Sequence, residues 1–179
     1  IDGKAAALAA AIRYIVFALA GSLLYLAGVV LIYAAHGTLD IDLVAVRTPA
    51  APDGLALALM TAGLMAKTAL FPFHVWLPPA HAGAPAPASA LLSGLVPKAS
   101  FVILMRLWFD AMPDRASDGA LVLIALLGTA AVFWGSLAAL AQVRLKLIVA
   151  YSTVAQIGYL FLVFPLAGGT SAGLPWAAG

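Results

Sequence analysis

An all-α, polytopic transmembrane helical bundle is the fold class this sequence predicts, and three observations predict it. Hydrophobic residues make up 65% of the 179 and charged residues 9%, against roughly 45–50% and about 25% in soluble domains. A soluble fold has no way to hide that much apolar surface. Five apolar stretches of about 20 residues run through the chain, long enough for membrane-crossing helices and unlike the short alternating segments of a barrel. Between them lie segments rich in Pro, Gly, Asp or polar residues, the chemistry of turns.

Taken in order, the spans are expected over residues 14–35, 54–77, 88–109, 120–141 and 147–167. The first and fourth carry no charge. The second holds Lys67, the third Lys98 and Arg106, and the fifth follows directly behind Lys146. The connections read HGTLDIDLVAVRTPAAPDG, PPAHAGAPAP, DAMPDRASDG and QVRLK. Residues 1–179 are read as one transmembrane domain. It starts at Ile1 without a Met and ends in GGTSAGLPWAAG, a loop leaving a helix, so both ends look cut from something longer.

An odd number of spans puts the termini on opposite sides. Lys4, Arg13, Arg144 and Lys146 fall on the amino-terminal side, and Arg47, Arg106 and Arg115 near the other face. Four against three favours a cytoplasmic amino-terminal end, in a bacterial cytoplasmic membrane.

The formal charge is only +2, from nine Lys and Arg against seven Asp and no Glu. No basic surface large enough for nucleic acid follows from it. Without Cys there is no disulfide, thiolate-bound zinc or cysteine-ligated iron–sulfur cluster. No cofactor and no metal are expected, nor any catalysis by this chain alone. Gly63, Gly94, Gly128, Gly135 and Gly158 lie inside spans, where small residues let helices approach closely.

The informative segment is AKTALFPFHVWLPPAH, residues 66–81. A helix rising about 1.5 Å per residue from Gly54 carries Lys67 roughly 20 Å into a core about 30 Å thick. Entering from the opposite face, Lys98 reaches a similar depth. Each ammonium there costs on the order of 2.5–3.5 kcal/mol. Such groups are tolerated where they line a hydrated cavity or exchange protons, since burial eases loss of an amine's proton; the alternative is that each is tied to a carbonyl or an acid and only holds helices together. Pro72 should break the helix just past Lys67 by clashing with the carbonyl of Thr68, and Pro97 should free the carbonyl of Ser93. Broken helices at membrane depth occur where they line a cavity or pack within protein. Lysine and break together predict a polar site in mid-membrane.

Other polar residues extend it. His74 follows the break and His81 sits in the connecting segment; either could pass protons between Lys67 and the aqueous side, or act as an interfacial hydrogen-bonder. Ser152, Gln156 and Tyr159 form a polar stripe at i, i+4 and i+7, able to hold a water file or to glue helices. Lys146 is placed as an interfacial anchor or a further proton site. Ser89 and Ser93 are expected to satisfy carbonyls loosened by Pro97.

The run GLMAKTALFPFHVWLPPAHAGAPAPASALLSGLVPKASFVILMRLW, with LAQVRLKLIVAYSTVAQIGY, resembles the antiporter-like membrane subunits shared by respiratory complex I, Mrp-type cation/proton antiporters and membrane-bound hydrogenases. The spacing of 31 residues from Lys67 to Lys98 and the PFHxWLPxAH segment carry the resemblance. It implies a fragment of a larger inverted-repeat fold of roughly fourteen helices, covering about the sixth to the tenth. Lys67 would match the lysine of the broken seventh helix and act as central proton carrier, Lys98 the eighth-helix lysine, and Lys146 the lysine near the start of the tenth. A modulating fifth-helix glutamate would precede Ile1, and a second half-channel would follow Gly179. Three departures stand out: Pro97 where the family usually has an aliphatic residue, Arg144 where an acid is common, and Pro79 where LPDAH has Asp.

The function expected is a proton-translocating or cation/proton-antiporting subunit of a respiratory-type complex. It would relay protons through Lys67, Lys98, Lys146 and His74, with His81, Ser93, Ser152, Gln156 and Tyr159 as a secondary path. Its partners would be the lipid bilayer, the remaining helices of the same subunit and other membrane subunits, with protons, or alternatively Na+, as cargo. The rivals are a redox subunit binding haem or quinone through His36, His74 or His81, and a non-conducting scaffold.

Overall fold

The computed structural model describes residues 2–113 and 116–168. Arg115, counted above for orientation, and residues 169–179 of the Gly- and Ala-rich ending lie outside the described residues. Helix α1 (Asp2–His36) is followed by a short α2 (Ile41–Ala45), capped by the Asp40 carboxylate on the amides of Asp42 and Leu43. The second span is α3 (Asp53–Thr68), a 3-10 turn over Phe73–Trp76 and α4 (Leu77–Gly83). The third is α5 (Ala86–Gly94), α6 (Val96–Arg106) and a π turn over Leu107–Ala111. Then come α7 (Asp118–Leu140), α8 (Leu145–Phe161) and a short α9 (Val163–Gly168).

Five segments are long and apolar enough to cross a membrane: Ala5–His36, Asp53–Gly83, Ala86–Ala111, Asp118–Leu140 and Leu145–Ala167. The first starts about nine residues before the expected boundary. Its early turns are alanine-rich, and alanine extends a helix at no entropic cost whatever its hydropathy. The segment PPAHAGAPAP is also mostly helix, not loop. Pro78 falls in the first turn of α4, where a missing N–H costs nothing, and the joint shrinks to Ala84 and Pro85.

The bundle is built from two tight antiparallel pairs, α1 with α3 and α7 with α8, joined by the third span. On α1 the residues turned inward are Ala10, Tyr14, Phe17, Gly21, Tyr25, Gly28 and Ile32, one stripe at helical spacing. Small residues set the approach. A Cβ on Gly63 would lie 2.8 Å from the Tyr25 amide, one on Gly135 2.7 Å from the Ala155 amide, and one on Gly158 2.6 Å from the Gly128 carbonyl. Gly94 differs: a Cβ there would meet nothing within 4 Å, and it ends α5 at the bend in the third span.

The two ends are distinguishable. At one, Lys146 Nζ donates to the Ala84 carbonyl at 2.9 Å, tying the fourth–fifth connection to the second–third. At the other, α2 packs on the π turn, and His36 Nε2 pairs with Asp53 Oδ1 at 2.8 Å, both side chains almost wholly buried. Asp53 Oδ2 also accepts from the Ala50 amide. The pair stitches the end of α1 to the start of α3.

Candidate functional site

The second span breaks three residues ahead of Pro72. Helix α3 stops at Thr68, and Ala69 adopts a left-handed conformation at φ 58°, ψ 36°, as its cap. Proline disfavours helix for the residue before it as well as blocking its own amide. The chain therefore leaves the helix ahead of the proline and turns through Phe71 and Pro72, whose peptide bond is cis. The carbonyls freed are those of the last turn: Met65 accepts from the Ala69 and Leu70 amides and the Thr68 hydroxyl, and Ala66 from the Trp76 indole at 2.9 Å. The indole thus folds the 3-10 turn back over the end of α3.

Lys67 lies in that last turn, where the helix macrodipole presents its negative end to a cation. Its ammonium has no hydrogen bond or ion pair with the described residues. The side chain runs beside Gly21 of α1 and lines a cavity of about 340 Å³ with Tyr14, Trp76, Leu95, Ala99 and Ser100. The cavity sits between α1, the break and the start of α6.

Lys98 does not line this cavity. Its Nζ donates to the Ser93 carbonyl at 2.6 Å, the acceptor that Pro97 cannot reach. Pro97 stands in the first turn of α6, so the third span bends at Leu95 (φ −106°, ψ −53°) and the lysine's own amine closes the gap. The Ser93 hydroxyl is 2.8 Å from Thr153 Oγ1 on α8, and Thr153 itself donates to the Val149 carbonyl. A hydroxyl has one proton, so Ser93 is the donor of that pair. Ser89 is not bound to a carbonyl either; its hydroxyl meets His81 Nδ1 at 2.6 Å. The carbonyl-capping role expected of the two serines belongs to Lys98.

His74 and His81 are both buried, at 7% and 0% exposure, and each has one ring nitrogen bound and one without a partner. His74 Nε2 accepts from the Trp134 indole at 3.0 Å and its ring stacks on Phe71. His81, on α4 rather than in a loop, leaves Nε2 unpartnered. Lys146 is exposed at the same end, on Ala84.

The stripe of Ser152, Gln156 and Tyr159 is not turned toward the lysines. Gln156 and Tyr159 are exposed, and Ser152 bonds back to the Val149 carbonyl of its own helix. The inward polar group of α8 is Thr153, 2% exposed. Reading by residue type alone missed it, but the stripe Ala150, Thr153, Val154, Ile157, Phe161 marks the buried face at helical spacing and contains it. Trp134 was missed as well, since one aromatic on an uncharged span carries no signal without its partner. No cluster of three or more His, Cys, Asp or Glu that could hold a metal occurs among the described residues.

A bundle of helices long and apolar enough to cross a membrane, with an interrupted second span and, at the interruption, a half-buried lysine that has no partner among the described residues, is the arrangement of an integral membrane protein. Residues 2–174 match the family profile described as NADH:quinone oxidoreductase/Mrp antiporter, TM, and the chain belongs to that family. It is 37% identical over 165 residues to NADH-quinone oxidoreductase subunit N of Desulforudis audaxviator, covering 89% of this chain and 33% of that one. Subunit N of Moorella thermoacetica is 36% identical, at 89% and 34% coverage. The chain thus spans about a third of the length of these curated relatives.

Among solved structures it is similar to a chain of the Mrp complex from Dietzia sp. (TM-score 0.81, 28% identity, 90% of this chain and 30% of that one). A chain of the membrane-bound sulfane sulfur reductase, an archaeal respiratory membrane complex, superposes with TM-score 0.82 at 32% identity over 90% and 34%.

Proposed function

We propose that this chain is the proton-conducting core of one half-channel in a multi-subunit membrane complex, and that Lys67 is its central carrier. The observation that carries this reading is the state of Lys67: an amine at a helix break, with neither counter-ion nor carbonyl among the described residues, beside a cavity of about 340 Å³. An amine kept only to hold helices together would be locked to a counter-ion; Lys67 has none among the described residues, and Lys98 meets only the neutral Ser93 carbonyl. A carrier must gain and lose its charge, and a fixed counter-ion would hold it in one state.

Protons would arrive from the end carrying Lys146, His81 and Ser89, pass His74 and reach Lys67. Transfer to Lys98 crosses the wall formed by Leu95, Ala99 and Ser100. Moving one charge through the membrane field is worth about 2.3 kcal/mol per 100 mV, the work a coupled reaction must supply for each proton driven against it. The bilayer, the other helices of the same subunit and neighbouring membrane subunits are its partners, in a bacterial cytoplasmic membrane with the amino-terminal end cytoplasmic. Protons are the cargo this site favours, with Na+ exchange by the wider assembly as the alternative.

The test is Lys67→Met in the full-length subunit within its complex, reconstituted in vesicles and followed with a pH-sensitive dye. Coupled proton uptake should fall at least about tenfold while assembly is retained, as for other groups in direct proton transfer. Undiminished uptake by an assembled variant would remove Lys67 from the path.

A further inference from the structure

Trp134 lies near the end of α7, half exposed, with its indole nitrogen 3.0 Å from His74 Nε2. An indole N–H only donates, so Nε2 must present its lone pair. The single proton of the neutral ring is then on Nδ1, the buried nitrogen that has no partner. A second proton at Nε2 would set two donors against each other at 3.0 Å. The ring is also held from the side by Phe71, stacked at 5.4 Å and 21°, with Phe71 in turn 6.2 Å from Trp134.

We propose that Trp134 is a positioning residue that locks His74 in the neutral Nδ1–H tautomer, so that His74 accepts a proton only when the indole swings away. The lock stands on geometry alone; that it gates proton movement rests on the relay reading above. About half of the Trp134 surface is left uncovered by the described residues. The elements packed against this turn are α1, α3 and α4, and none of their titratable groups, Arg13, Tyr14, Tyr25, Tyr33 and His36 on α1, Asp53 and Lys67 on α3 and His81 on α4, bonds to His74. α7 contributes no charge near it, its single acid, Asp118, being at the opposite end. Trp134 is therefore the one polar group fixing the protonation pattern of the ring among the described residues.

The experiment is nitrogen NMR of the intact complex carrying 15N-labelled histidine, with His74→Gln identifying the His74 signals. The parent protein should show a protonated Nδ1 and an unprotonated Nε2. In Trp134→Phe, which keeps an aromatic ring and removes the donor, the share of rings protonated at Nε2 should rise about fivefold, the weight of one neutral hydrogen bond. An Nε2–H ring in the parent, or an unchanged pattern in the variant, overturns the lock. Should Trp134→Phe fail to assemble, β-(3-benzothienyl)alanine at position 134 removes the same donor with the shape kept. Passive proton entry into vesicles is read in parallel, and a severalfold rise is expected. A changed tautomer without that rise upholds the lock and removes His74, not Lys67, from the relay.

Discussion

Ser93 gives two different groups to two different spans: its carbonyl takes the Lys98 ammonium and its hydroxyl goes to Thr153 on α8. The contact of one lysine and the packing of the third span on the fifth thereby meet at a single residue. Thr153→Val keeps the shape but leaves the Ser93 hydroxyl without its acceptor. It should lower the free energy of unfolding in detergent by about 0.5–2 kcal/mol, with Thr153→Ser restoring it; an unchanged denaturation midpoint would mean the pair contributes nothing. At this scale the sequence was informative where charge conflicts with surroundings. Lys67, Lys98 and the carbonyl freed by Pro97 stand out because each is costly in hydrocarbon. Thr153 and Trp134 do not, since their importance is set by a residue 60 positions away and no local pattern encodes such a pairing.

Among elements, the pairs α1–α3 and α7–α8 are held at backbone contact by glycine. A side chain at Gly158 would run into the Gly128 carbonyl and the Val132 amide, 2.6 and 2.8 Å from its Cβ, and neither can retreat without moving the helix. Gly158→Leu is expected to cost about 1–3 kcal/mol or to block assembly, whereas Gly94→Ala, open on all sides, should be neutral in the same thermal-unfolding assay. Span number and approximate position were legible because hydropathy integrates over about 20 residues. Boundaries were not. Pro78 and Pro79 read as breakers, yet a proline in a helix's first turn is a start signal, and only the preceding 3-10 turn decides which applies. The break before Pro72 was likewise visible, but its onset at Ala69 depends on Trp76 capping a carbonyl ten residues back.

For the molecule as a whole, the Lys146–Ala84 tie and the His36–Asp53 pair mark opposite ends of a five-span bundle. Val46 and Val143 are exposed at 82% and 97%, one in each end region. The chain has no cysteine, so Val46→Cys and Val143→Cys can each be labelled alone, in a full-length subunit otherwise stripped of cysteine. A membrane-impermeant maleimide should reach position 143 from the cytoplasm and position 46 from the other side. Reaction of both from one side would discard the five-span topology, and reaction from exchanged sides would reverse the orientation drawn from four basic residues against three.

The second and third spans are each interrupted, at Ala69–Pro72 and at Leu95, while their neighbours α1 and α7 run unbroken. Continuous rods carry a displacement from one face of the bilayer to the other; jointed ones absorb it where they are jointed. A push delivered to α4 or α5 should therefore be taken up as a change of angle beside the two amines, while the continuous flanking helices hold their place.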